Sequence, residues 1–213
     1  MVKGLNALLA IVSTPLSAPV IAATRLRRSP TNSAKGAARL VSDALATSRK
    51  AGSTGQVAVR ADSAYYNHDV IAAARAGGAL FSTWRHHAGF TDSRELMLAA
   101  EATHRDHAIV EKVIAELKDG ALAHPPSGHM NANGAWLVLA AIAFSLTRAA
   151  GTQASRFHAR ATTATIWAQL IAVPARIARS ARLLRLHLPE RWPWEDAWEA
   201  MFTATGGPPI PTT

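Results

Sequence analysis

The sequence predicts an α/β fold, a mixed sheet interleaved with helices and followed by a mainly helical C-terminal region. Three observations lead there. Apolar residues make up 49% of the 213-residue chain, enough to bury a sizeable core. Up to Gly120, short β-branched runs alternate with segments of helical periodicity in the order β-β-α-β-α-β-α. Beyond Gly120 the strand-like runs give way to longer apolar segments and arginine-rich stretches.

The first residues, "MVKGLNALLAIVSTPLSAPVIAA", imitate a signal peptide, but Pro15 and Pro19 interrupt the apolar run. Two strands, "LNALLAIVS" and "PVIAATRLR", joined by a turn, account for the same residues. A loop at 29–36 leads into a helix, "AARLVSDALATSRKAG", with Leu40, Val41 and Leu45 at helical spacing and Gly52 near its end. Val57 to Ala61 read as a short buried strand, with Asp62 where it ends. "NHDVIAAARAGG" is a helix with a glycine stop, and "ALFSTWRHHAGFTD" reads as one strand. "SRELMLAAEA" is helical and precedes a longer helix, "HRDHAIVEKVIAELK".

After a loop, "ALAHPPSGHMNANG", residues 135–150 and 161–173 form two helices; the apolar 135–146 is too short to span a bilayer and reads as a buried helix. Arg176, Arg179, Arg182 and Arg185 recur every third residue, giving a partial stripe on a helix and alternating faces on a strand. Trp192, Trp194 and Trp198 suit core packing of a last helix. The organisation expected is an α/β core over 1–120, a helical region over 121–205 and a disordered tail over 206–213.

Composition narrows the function. With no cysteine, disulfides and thiolate metal sites are excluded, and the reducing cytoplasm is the expected compartment. A formal charge of +9, carried mostly by arginine, points to nucleic acid before an acidic membrane surface.

The helix "HRDHAIVEKVIAELK" carries the chemistry. On a helical wheel His104, His107, Glu111 and Lys118 lie within about 60° of one another, beside the apolar face and bordered by Ala108 and Ala115. Such a stripe lets a metal ion or a phosphate backbone approach. His107 and Glu111 are also an ordinary i,i+4 surface pair; a zinc site made of three ligands from this one helix is awkward. Asp62 stands at a sheet edge where α/β proteins bind ligands, or else caps the next helix, although Ser63 or Asn67 could serve there. Carboxylates from separate elements can converge on hard divalent ions and so support phosphoryl transfer.

At these residues the chain resembles bacterial insertion-sequence transposases of the DDE type, in the group 1 branch. The matching stretches run in order and include "GLNALLAIVSTPLSAPVIAATRLR", "GAARLVSDALA", "VRADSAYY", "WRHHAGFTD", "HRDHAIVEKVIAELK" and "NANGAWLVLAAIAFSLTRAAG". The resemblance implies a ribonuclease-H-like core that cleaves and joins DNA at transposon ends with Mg²⁺ (or Mn²⁺) held by three carboxylates. It makes Asp62 the second acid and Glu111 the third. The family's Tyr-Arg-Glu-Lys slots are occupied by His104, His107, Glu111 and Lys118, whose expected role is contact with DNA. Arg176 and Arg179 are further candidates to line a DNA path.

Against the family pattern, the strand bearing the first aspartate has no counterpart, and the segment before "WRHHAGF" is short. The expected fold is therefore a partial ribonuclease-H-like sheet lacking its first strand, with the metal weakly bound and no transposition by this chain alone. The partners implied are double-stranded transposon-end DNA and a second copy or a full-length transposase, in the bacterial cytoplasm at the nucleoid, with no membrane. The alternative is a non-catalytic DNA-binding or dimerising remnant that interferes with a full-length relative.

Overall fold

The computed structural model describes residues 5–14, 18–28, 31–32, 34–85, 88–91, 108–180 and 183–207. They divide into two units, one of residues Met1–Val12 and Pro19–Ile142, the other of Ser13–Ala18 and Ala143–Thr213.

In the first unit, β1 (Leu5–Val12) and β2 (Val20–Arg28) form an antiparallel hairpin, with a register shift at Ala10/Ile11. The proline-interrupted apolar run is thus two strands. Arg27, buried on β2, donates to Asn6 Oδ1 on β1 and to the carbonyls of Asn32 and Lys35, tying the hairpin to the entrance of the next helix. That helix, α1 (Ala37–Lys50), starts after Gly36 at φ 81, a left-handed turn that glycine adopts without penalty. Arg49 and Lys50 in its last turn complement the dipole.

β3 (Val57–Asp62) runs into a single 3₁₀ turn at Ser63–Tyr65, then α2 (His68–Ala76), whose N-cap is Asn67 with its Oδ1 accepting from Asp69 N at 2.8 Å. β4 (Ala79–Arg85) returns parallel to β3, as a helical crossover requires. The apolar core of this unit joins Leu8, Leu40, Val70, Ala74 and Phe81, so the hairpin and the β3–β4 sheet share α1 and α2 as their packing partners.

Two expectations change in this unit. The single strand read in "ALFSTWRHHAGFTD" is a hairpin, β4 with antiparallel β5 (Ala88–Thr91). Between the two strands stand His86 and His87, with no glycine or proline at either position to signal in the sequence that one strand ends and another begins. Among the described residues the strands form separate small sheets: β1–β2 and β3–β4–β5 do not pair with each other. The mixed character survives in β3–β4–β5, one parallel and one antiparallel ladder. "SRELMLAAEA" lies outside the described residues.

α3 (Ala108–Asp119) buries Val113 and Leu117. α4 (Met130–Ala154) starts earlier than expected, inside the segment read as a loop. Asn133 explains the early start: its side chain accepts from Ser127 N at 3.1 Å and donates to Ser127 O at 2.7 Å, while Ser127 Oγ accepts from His129 N. The expected buried helix is a 25-residue one that leaves Val138, Leu139, Ile142 and Leu146 exposed. It is the one helix among the described residues long and apolar enough to cross a membrane.

The second unit holds a core of Ala154, Ile166, Leu170 and Ala197, packed by Trp194, Trp198 and Met201. α5 (Thr163–Ile166) continues as a π-helical turn at Trp167–Ile171, where one helix was expected. The arginine-rich stretch is a two-stranded antiparallel ribbon, β6 (Arg176–Ser180) and β7 (Leu183–His187). α6 (Glu195–Ala204) closes the unit, with Trp198 stacked on Phe202. Of the tail expected at 206–213, Gly206 and Gly207 end α6, their amides donating to Thr203 O and Phe202 O, and residues 208–213 lie outside the described residues.

Candidate active site

The site is built around the end of β3. Asp62 is its last residue and stands opposite Trp84 in the ladder. The carboxylate is exposed, and Oδ1 accepts from Ala64 N at 3.2 Å and from Ser63 Oγ at 3.1 Å. It therefore caps the 3₁₀ turn, while Asn67 caps α2. The capping bonds fix the orientation of the carboxylate; among the described residues Oδ2 accepts no hydrogen bond.

Glu111 lies in the first turn of α3, where the amide dipoles favour a negative charge. It is exposed and forms no ion pair among the described residues. Lys118 occupies the last turn, where a cation is favoured. With Val110, Ile114 and Leu117 these two side chains form one stripe of the helix, and the stripe faces a cavity of about 1030 Å³ within the first unit.

Asp62 lines the same cavity, as do Arg60, Asn133 and Trp136. The structure thus brings Asp62, Glu111 and Lys118, expected together from sequence, to one cleft. Arg60, Asn133 and Trp136 were not anticipated. Arg60 was legible as the residue two before Asp62 on the same strand; the other two depend on the fold of the loop before α4, where Trp136 Nε1 donates to Ala121 O at 2.6 Å.

His104, His107, His86 and His87 lie outside the described residues. Asp43 stands on α1, paired with Arg39 at 2.9 Å and Arg25 at 3.7 Å, away from the cleft lining. The acids of that lining are Asp62 and Glu111. Among the described residues no three His, Asp or Glu side chains cluster closely enough to hold a metal ion. The donor set offers hard carboxylate oxygens, suited to Mg²⁺ or Mn²⁺, but two residues leave most of the coordination to water.

In the second unit Arg176 and Arg179 are both exposed on β6 and lie on opposite faces of the ribbon. Cross-strand pairing puts Arg176 beside His187, and Ala178 beside Arg185, on one basic face. The other face carries Ile177, Leu184 and Leu186 with Arg179. Arg182 lies outside the described residues.

His158, buried in the same unit, was not singled out from sequence. Ser155 Oγ lies 2.8 Å from its Nδ1, and Gln169 Oε1 lies 3.1 Å from its Nε2. This arrangement places the ring proton on Nε2. Ser155 Oγ also accepts from His158 N at 3.2 Å, a local turn that holds the ring against Trp194. The histidine is thereby part of the packing of this unit.

A family model described as the transposase DDE domain, group 1, matches residues 88–205, more than half of the chain. The match includes Glu111 and Lys118 and leaves Asp62 before its start. No curated protein and no solved structure matches the chain.

Proposed function

The chain belongs to the group 1 transposase DDE domain family, whose members bind DNA, and from that premise we propose that its cleft is a ribonuclease-H-like transposase site with Asp62 as second acid and Glu111 as third. The observation that carries the reading is that Glu111, inside the family match, and the strand-end Asp62, outside it, line the same cavity. In this reading Asp62 and Glu111 would hold Mg²⁺ or Mn²⁺, which supplies an activated attacking oxygen and a stabilised leaving oxygen. Asp62 contributes a carboxylate already oriented by the 3₁₀ turn, and Glu111 one favoured at a helix N-terminus.

Lys118, with His104 and His107, contacts phosphates of the transposon end, and Arg176 and Arg179 extend the DNA path. A two-carboxylate lining supports one weakly held ion, so this chain by itself binds DNA without cleaving it. A second copy or a related transposase is the protein partner, in the bacterial cytoplasm at the nucleoid and away from membranes. The second reading, a non-catalytic DNA-binding module, draws on the +9 charge and the basic ribbon face.

A gel shift and a nicking assay on transposon-end duplex test both readings. The expected result is salt-dependent binding with no Mg²⁺-dependent cleavage. No affinity at low salt overturns both readings; cleavage abolished by Glu111→Ala overturns the claim of inactivity.

A further inference from the structure

The cavity beside Asp62 has a shape that the two carboxylates do not account for. All eight residues of β1 and all six of β3 line it in unbroken succession. Side chains of a strand alternate between faces, so a cavity lying over a face touches every second residue. A cavity that touches every residue runs along the strand edge. β1 hydrogen-bonds only to β2, and β3 only to β4, so among the described residues one edge of each strand has no strand partner. Both of these edges border the same space.

The dimensions fit one more strand. Six to eight extended residues span about 20–26 Å, neighbouring strands sit about 4.8 Å apart, and packed layers are about 10 Å apart. A slab of that size occupies roughly 950–1250 Å³, and the cavity measures about 1030 Å³. The remaining walls are mainly apolar, with Leu40 and Val41 from α1 and Val110, Ile114 and Leu117 from α3, and carry Ser48 and Asn133 as uncharged polar groups. The charged lining residues Arg60, Asp62, Glu111 and Lys118 cancel in sign, so the space selects neither an acidic nor a basic occupant.

We propose that this cleft is a receptor for one β-strand of a separate polypeptide, uncharged and with at least one apolar face, which pairs with β1 and β3 at once and joins the two sheets. Main-chain bonds along two edges supply the affinity, as in other strand-addition complexes. The inference stands on the open edges and is independent of what Asp62 and Glu111 hold.

The probe is a blocked eight-residue peptide of alternating valine and threonine, tested on the intact chain by hydrogen exchange with mass spectrometry. Two controls carry N-methyl groups on all valines or on all threonines. Successive amides of a strand point to opposite edges, so each control can pair along one side only. The expected result is exchange slowed at least about tenfold over both Leu5–Val12 and Val57–Asp62, with each control binding at least about tenfold more weakly. Protection of one strand only, equal binding of the methylated peptides, or no binding overturns the proposal. So does protection of both edges without peptide: if independent of protein concentration, the chain fills the cleft itself; if it rises with concentration, a second copy does.

Discussion

Replacing Val113 with alanine should loosen the first unit without touching the cleft lining. Val113 has no exposed surface and sits on the buried face of α3, while Glu111, two residues earlier, is exposed. Two methyl groups are lost at about 0.8 kcal/mol each, and incomplete closure of the resulting void brings the total to about 2–3 kcal/mol. A domain with about 5–15 kcal/mol in hand remains folded. The assay is native-state hydrogen exchange in rising urea, read on peptides from Ala37–Lys50 and Ala108–Asp119, which reports this unit by itself. With a urea dependence of about 1–3 kcal/mol per molar, the midpoint should fall by roughly 1 M in both peptides. Glu111→Gln should shift it by less than about 0.5 kcal/mol. If Val113→Ala stays within about 0.5 kcal/mol of the parent, α3 does not bury this face and the placement of Glu111 on the cleft loses its support.

Other outcomes follow from the second unit. A Cβ at Gly151 would lie 2.6 Å from Ile166 Cδ1 and 2.7 Å from the His158 carbonyl, which is backbone and cannot swing aside, so Gly151→Ala should cost about 1–3 kcal/mol in a thermal melt. His158→Ala removes a buried ring packed on Trp194 and strips partners from Ser155 and Gln169, so it should cost about 3 kcal/mol or more, and a change below about 1 kcal/mol would contradict the packing role. On the ribbon, Arg176→Ala with Arg185→Ala should reduce the slope of log affinity for duplex DNA against log salt by about 2, one unit per lost phosphate contact. Arg179→Ala, on the other face, should change it by about 1 at most, and a larger effect than the double variant would reverse the assignment of faces.

The sequence made the elements of the first unit legible where local signals agree. Val57–Asp62 is bounded by a glycine-rich turn and a polar cap, and α2 by Asn67 and Gly77. The same signals were silent at residues 84–88, where no glycine or proline separates β4 from β5, and at Met130, where a side-chain bond from Asn133 back to Ser127 starts the helix ahead of its apolar stretch. Arginines at every third residue fit helix or strand alike, and only cross-strand pairing separates Arg176 from Arg179.

For the candidate site, the helical wheel placed Glu111 and Lys118 on one stripe, and the cleft lining follows that stripe. The partner role of β3 depended on the resemblance. What no local pattern carries is long-range pairing: nothing in "LNALLAIV" or "VAVRAD" records that the two strands line one cavity and, among the described residues, belong to separate sheets.

Titration with Mn²⁺, following the free ion by electron paramagnetic resonance, tests the shared role of Asp62 and Glu111 most directly. The account predicts one weakly bound ion per chain, lost in both Asp62→Asn and Glu111→Gln while the circular dichroism spectrum stays that of the parent. Binding of the same stoichiometry and affinity in either variant would contradict it.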